Sequence, residues 1–343
     1  MALWGAKKGI LLARPRSNEA PQLQNLSPRT PSQTARPFGN SFIFLMNMDF
    51  NPFGSTKKRN FLLSLGALFF LLPTGAEAMI GIELMGQESR WKIDQLSTQE
   101  SVTQVGTYLY FPLGSFAFVE AAHEQLDITF KTLDPLKQGD NSAVLNLILG
   151  PVLVSAGTHL VLSSNNLVDQ GHSTAYAISL PEILHLSLGY SQYETTFPNM
   201  PLTDRPGEQG LKINQTAPEV GISFFDGLFS LSGQQDNIVL ADSLGLSKTQ
   251  YRSTQGTLSF WAGPMYFGFS GWNGERLFFA DNKGLYLNSL GLIYQGGNRA
   301  AVTWMIATWM DLALIRTNET FLETEGGTPL KAQVDTVNLT FRF

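Results

Sequence analysis

The side chains with the most obvious catalytic potential in this 343-residue sequence are its four histidines, His123, His159, His172 and His185. None stands in an HExxH motif or at a metal-ligand spacing, and none has a neighbouring carboxylate pattern. Cysteine is absent, which removes disulfides, thiolate metal sites and cysteine nucleophiles. We therefore expect no cofactor and no metal site, and we interpret each histidine as an ordinary hydrogen-bonding residue.

Two short segments, Gly171-His172-Ser173 and Ser163-Ser164-Asn165, contain the residue types of a serine hydrolase. They are similar to the Ser, His and Asn triad of outer-membrane phospholipases, but the His-x-Ser-Asn-Gly pattern of that family is missing. We therefore expect a protein that is not an enzyme, and a membrane-embedded hydrolase is the third functional alternative.

Acidic residues offer the remaining possible site. Asp140-Asn141 and the group Glu319, Glu323 and Glu325 could supply oxygens to a calcium ion, which needs several such ligands. Their spacing matches no defined calcium loop, so the sequence favours a solvated acidic surface.

The final strand carries the most specific pattern in the chain. Four apolar residues, Val337, Leu339, Phe341 and Phe343, alternate with polar residues from Thr336 to Arg342. An alternating strand that ends on phenylalanine resembles the closing strand of Gram-negative outer-membrane β-barrels. The resemblance implies that these four residues form the signal that the barrel-assembly machinery recognises.

The preceding sequence is divided by two kinds of connection that alternate. Tight breaks are predicted at 112–115, 150–151, 181–182, 226–227, 263–264 and 296–298. Longer polar breaks are predicted near 86–100, 132–142, 164–172, 195–210, 236–249, 274–284 and 315–330. A soluble β-sandwich has no reason to sort its loop lengths onto two sides. The pattern therefore predicts an all-β fold, a transmembrane antiparallel up-and-down barrel of about 14 strands. Twelve strands are the alternative, because segments 143–149 and 151–162 are apolar on both faces.

The alternation along single strands assigns the two faces of the wall. Apolar sets such as Leu186, Leu188 and Tyr190, or the set from Val302 to Leu314, are expected to face lipid. The charged residues predicted to face the lumen are Glu83, Glu219, Arg252, Arg299 and Arg342. Aromatic residues near the long loops, including Trp91, Tyr193, Tyr251, Trp272 and Tyr286, are predicted to form a girdle at the membrane surface.

The amino-terminal region has the features of an export signal. Lys57, Lys58 and Arg59 precede an apolar run at 61–73, and an A-x-A cleavage site with Ala76 and Ala78 follows. This pattern predicts a signal peptide at 57–78 and a mature barrel at 79–343. Residues 1–56 are interpreted as a disordered or wrongly included extension.

Charge and organisation together suggest the function. Nine of the 23 basic but three of the 28 acidic residues precede residue 79, so the mature chain carries 14 basic and 25 acidic residues, a net charge of −11. This charge disfavours nucleic acid as a partner. We expect a passive outer-membrane channel or transporter for small solutes with a modest cation preference. Its expected partners are outer-membrane lipid, lipopolysaccharide and the assembly machinery. A non-conducting surface protein or adhesin is the second alternative.

Overall fold

The computed structural model describes residues 81–343, except residues 95–96, 184, 226 and 290 and the side chains of 181–183. The extension predicted at 1–56 and the signal peptide predicted at 57–78, with Ala76 and Ala78, lie outside the described residues. No helix in the described part of the chain is long and apolar enough to cross a membrane.

Within the described residues, fourteen antiparallel strands close into a barrel, which confirms the predicted fold class. Each wall strand pairs with its neighbours in chain order, and the last strand pairs with the first. The wall strands are β1 (Glu83–Ile93), β2 (Gln99–Pro112), β3 (Ala117–Phe130), β4 (Leu136–Leu149), β5 (Val152–Ser163), β6 (His172–Ile183), β7 (Leu186–Pro201), β8 (Gln209–Phe224), β9 (Phe229–Leu240), β10 (Gln250–Ala262), β11 (Met265–Arg276), β14 (Ile293–Ala307), β15 (Met310–Leu322) and β16 (Leu330–Arg342). The two short strands β12 (Ala280–Asp281) and β13 (Tyr286–Leu287) belong to the connection between β11 and β14.

Short and long connections alternate as predicted, so the barrel has a tight-turn end and a long-loop end. Two tight turns were predicted at the wrong place. Residues 181–182 lie inside β6, which ends at Ile183. The glycines at 296–298 lie inside β14, and the turn falls at 308–309. Close packing requires glycine at position 297, because a Cβ there would overlap the ring of Trp272. The segment from Arg299 to Leu314 is consequently a hairpin of two strands, which keeps the strand count at fourteen.

The outer face is apolar towards the tight-turn end. Leu186, Leu188 and Tyr190 are exposed on it, as are Trp304 and Leu314 of the β14–β15 hairpin. These residues alternate with inward neighbours such as Ser187 and Thr303, in the pattern expected of a strand between lipid and a lumen.

Towards the long-loop end, the polarity of the two faces is reversed. Val102, Leu126, Ile128, Ile213 and Ile238 point inward and are almost completely buried. The five aromatic residues predicted to form an outer girdle there, Trp91, Tyr193, Tyr251, Trp272 and Tyr286, are also buried. That girdle prediction was wrong, because the interior of this half is filled by an apolar core.

Candidate functional site

The connection between β11 and β14, residues 277–292, folds into the barrel and is called the lumen loop. Gln215 of β8 both donates to and accepts from the backbone of Ala280, over 2.9 and 2.8 Å. Ser142 of β4 donates to the carbonyl of Leu285 over 3.2 Å, and Ser289 donates to Gln138 of β4 over 3.1 Å. Because β4 lies on the opposite side of the ring from β11 and β14, the loop crosses the lumen. The sequence predicts a long polar connection near 274–284, and a long connection is present there, but it is largely apolar and folds into the lumen.

A bulge at the end of β11 directs the chain inward. Gly274 has φ +104°, and a Cβ there would overlap the carbonyl oxygen of Arg252, so glycine is required. Two residues later Arg276 is fully buried and forms an ion pair with Asp236 over 2.7 Å. Its guanidinium also lies 5.3 Å from the ring centroid of Phe279, the third residue of the lumen loop. Arg276 therefore anchors the base of the loop to the wall.

The tip of the lumen loop has an unusual backbone. Asn282, Lys283 and Gly284 have φ values of 48°, 55° and 91°. Left-handed conformations of residues other than glycine cost about 1–3 kcal/mol each, so surrounding contacts must hold them. Lys283 donates to the side-chain carbonyl of Asn146 on β4 over 3.1 Å, and Asn146 in turn donates to Glu120 over 2.8 Å. The tip is thus fixed to the far wall.

His159 of β5 provides a second contact at the tip. Its Nδ1 lies 3.2 Å from the carbonyl oxygen of Gly284, and its Nε2 lies 3.3 Å from Asp140 Oδ1. Both side chains are 1% exposed. Gln138 also donates to both carboxylate oxygens of Asp140, over 3.1 and 3.0 Å. His159 therefore connects a buried carboxylate of the wall to the lumen loop.

The other histidines lie away from this interior. His123 is exposed and contacts Asn141 over 2.9 Å, and His172 faces the carbonyl of Gln170 at 3.5 Å. His185 occupies a tight turn with φ 69°. In the described part of the chain, no group of three or more His, Cys, Asp or Glu residues is arranged to hold a metal ion.

Four of the five charged residues predicted to face the lumen do lie on the inward face. Arg342 donates to Glu83 over 3.0 Å and also forms an ion pair with Asp311. The strand register places Glu219 and Arg299 on the same inward face.

The prediction for Arg252 was wrong. Arg252 is exposed on the outer face and donates to Gln235 over 2.6 Å. Its neighbours in the strand, Tyr251 and Ser253, point inward and are buried. In this half of the barrel the polar side chains point outward, so the rule that places apolar residues outside does not apply.

The lumen-facing surface is predominantly acidic. Among the described residues of the wall and the lumen loop, nine acidic and four basic side chains point inward. The acidic ones are Glu83, Glu120, Glu124, Asp140, Glu219, Asp236, Asp281, Asp311 and Glu319, and the basic ones are Arg276, Lys283, Arg299 and Arg342. The charged lining of the lumen therefore has an excess of acidic side chains.

The residues of the predicted assembly signal lie on β16 and just after it. Val337 is 48% exposed on the outer face, and the register puts Leu339 and Phe341 on the same face. The backbone of Phe343 accepts from Gly81 over 2.8 Å and donates to Ile82 over 2.9 Å. These bonds extend the seam that joins the last strand to the first.

Comparison with known proteins supports the architecture. No protein-family model matches the sequence, and no curated protein matches it. The solved structure of the CymD monoaromatic hydrocarbon channel matches with 8% identity and a TM-score of 0.50, over 78% of this chain and 90% of that one. A Pseudomonas aeruginosa FadL homologue matches with 7% identity and a TM-score of 0.45, over 78% and 91% of the two chains. Acinetobacter baumannii Omp33 matches with 9% identity and a TM-score of 0.42, over 77% and 99%. At these identities the likeness is one of fold, and the fold is that of outer-membrane β-barrel proteins.

Proposed function

We propose that this chain is an outer-membrane channel or transporter for small solutes, and that the lumen loop controls its opening. One observation carries the proposal: the loop crosses the lumen and is bound to the far wall at Gln138, Ser142, Asn146 and His159. It is also bound to Gln215 of β8, between the two sides. A segment in this position limits the width available to any solute.

The distribution of polarity supports transport in two stages. A solute from the long-loop side meets an apolar interior that includes Ile128, Phe197 and Phe278. Beyond the lumen loop it meets a polar lining with residues such as Ser155, Ser230 and Ser259. The inward acidic excess supports the modest cation preference, because carboxylates lower the energy of cations in a pore.

The location belongs to the same proposal. Insertion into the bacterial outer membrane by its assembly machinery is supported by three features. They are the apolar outer face at the tight-turn end, the fold and the predicted export signal. Outer-membrane lipid and lipopolysaccharide would then surround the wall.

A non-conducting surface protein is the second candidate. It is favoured by the apolar core around Leu126, Leu211 and Leu240, which fills the long-loop half. The hydrolase alternative gains no support, because the described contact of His172 is with the backbone of Gln170.

Single-channel recording in a planar bilayer tests the proposal. A variant in which residues 278–286 are replaced by a short Gly-Ser linker should show larger and more continuous conductance than the wild type. A matched control that deletes residues 132–134, between β3 and β4, should conduct like the wild type. Equal conductance in the wild type, the linker variant and the deletion control would contradict a gating role for the lumen loop. A linker variant that folds but does not conduct would favour the non-conducting surface protein. Under a KCl gradient, a reversal potential showing anion preference would contradict the cation preference.

A further inference from the structure

The outer wall carries two adjoining grooves that differ in polarity. The first has a volume of about 420 Å³, with Leu258, Phe269 and Ala300 among its lining residues. The second has a volume of about 840 Å³, with Lys92 and Lys331 among its lining residues. Asn298 lines both, so the grooves are continuous. We infer that together they bind one phosphate-bearing lipid of the outer leaflet, of the lipid A type. The inference rests on the proposed membrane location, with the long loops outside the cell and the tight turns in the periplasm, but it does not require a conducting barrel.

Strand pairing shows how the two grooves are connected. One row of paired outward positions crosses six strands in the order Gly256, Gly271, Asn298, Asn318, Gln333 and Lys92. Strands in such barrels are tilted by about 35–45°, so a row perpendicular to them changes its depth in the membrane as it runs around the wall. The row therefore has one end in the lipid and the other above it.

The residues on the tight-turn side of the row show which end of the row lies in the lipid. On the tight-turn side, Gly256 and Gly271 are followed by Leu258 and Phe269. The corresponding residues beside Asn318 and Gln333 are Arg316 and Asp335, which form an ion pair over 2.7 Å. The glycine end therefore borders the apolar band, and the Lys92 end lies in the polar band that follows it.

An amphiphilic lipid matches this gradient. The groove beside Leu258 and Phe269 can hold part of an acyl chain, because Gly256 leaves its floor without a side chain. Lys92 and Lys331 carry the charges that attract a phosphate, and the amides of Asn298 and Asn318 can donate to its oxygens.

Acidic groups near the polar groove reduce its positive potential without reversing it. Asp94 and Glu319 line the same groove, and Asp335 lies near Lys92. The side chain of Glu319 faces the lumen and is 2% exposed, so it is turned away from the outer surface. Asp335 is already paired with Arg316, whose charge it offsets. Among the outward-facing charges of the lining, Lys92 and Lys331 outnumber Asp94, and this outer positive charge suits an anionic head group.

Native mass spectrometry of the full barrel in detergent tests the inference, with bisphosphorylated lipid A and its dephosphorylated form as probes. The wild type should retain one molecule of the phosphorylated lipid and bind the dephosphorylated form more weakly. The double variant Lys92→Gln with Lys331→Gln should bind the phosphorylated lipid about tenfold more weakly. The matched control, Lys137→Gln with Lys212→Gln, changes exposed outward lysines on β4 and β8 and should bind like the wild type.

A second variant tests the apolar groove independently of charge. The nearest atom to a Cβ at Gly256 would be 4.0 Å away, so Gly256→Leu fills the groove without strain. It should weaken binding of both lipid forms, whereas Gly139→Leu, at an open position on the outer face of β4, should not. Equal binding by the lysine variant and its control would overturn the inference, and so would equal binding of the two lipid forms. A wild-type dimer that Gly256→Leu dissociates would assign the groove to a second copy of the chain and would also overturn it.

Discussion

Replacing Arg276 with methionine should destabilise the folded barrel by about 3 kcal/mol. Arg276 and Asp236 are 0% and 2% exposed, and removing one partner of a buried ion pair typically costs about 3–5 kcal/mol. The lower value applies here because Asp236 keeps three other donors. They are Gln234 at 2.8 Å, Ser253 at 3.1 Å and Gln215 at 3.3 Å.

The measurement is a reversible urea titration of the barrel in lipid vesicles, followed by tryptophan fluorescence. The double variant Arg276→Met with Asp236→Asn should recover part of the loss, because it removes the isolated charge together with its partner. The exposed pair of Arg205 and Glu208 provides the control, and Arg205→Met should change the unfolding free energy by less than about 1 kcal/mol. A loss below about 1 kcal/mol for Arg276→Met, or strictly additive effects in the double variant, would refute the anchoring role.

Three further predictions follow from the faces, the seam and the loops. Ile306→Arg should cost less folding free energy than the penalty of about 2–4 kcal/mol at a mid-membrane position, because Ile306 is 41% exposed on the lipid-facing side but lies next to the tight turn at 308–309. Thr303→Arg points inward and should cost less than Ile306→Arg; equal losses in the same urea titration would contradict the assigned faces. Phe343→Asp should leave export intact but lower the folded, heat-modifiable fraction in the outer membrane, and a normal fraction would argue against the assembly signal. Burial alone would raise the pKa of Asp242, but hydrogen bonds from the backbone of Leu244 and Thr203 and from the Thr203 hydroxyl outweigh it and lower the pKa below its ordinary value. At pH values above the unfolded-state pKa, the ionised Asp242 therefore stabilises its loop, and this stabilisation is lost as the pH falls through the lower folded-state pKa. Proteolysis of residues 241–249 should consequently increase in acid in the wild type. The increase should be smaller in Asp242→Asn.

The sequence predicted the wall of the barrel because a wall strand follows local rules. Its period-two alternation and the spacing of its turns are both visible within a dozen residues, as in the stretch from Leu186 to Phe224. The predicted number of strands is correct although the turn predicted at 296–298 is misplaced. The real turn lies further along the same hairpin of β14 and β15, so one turn still separates two strands.

The interior could not be predicted in the same way. The lumen loop is held by contacts between residues far apart in the chain, such as Gln215 with Ala280 and Ser142 with Leu285. One local signal was available. Leu277-Phe278-Phe279-Ala280 and Leu285-Tyr286-Leu287 are too apolar for an exposed loop, and they flank the polar turn that reaches the far wall. Arg252 was misplaced for a related reason, because an apolar interior inverts the alternation in the long-loop half.

The lumen loop also affects how the barrel deforms. A closed sheet resists flattening mainly through its curvature, and it flattens equally easily along any diameter if nothing spans it. Here a strut runs along one diameter, from Arg276 on β11 to Asn146 on β4. Compression along that diameter must shorten or break the strut, whereas compression at right angles to it does not. Under lateral pressure from the membrane, the cross-section should therefore become elliptical with its long axis along the loop.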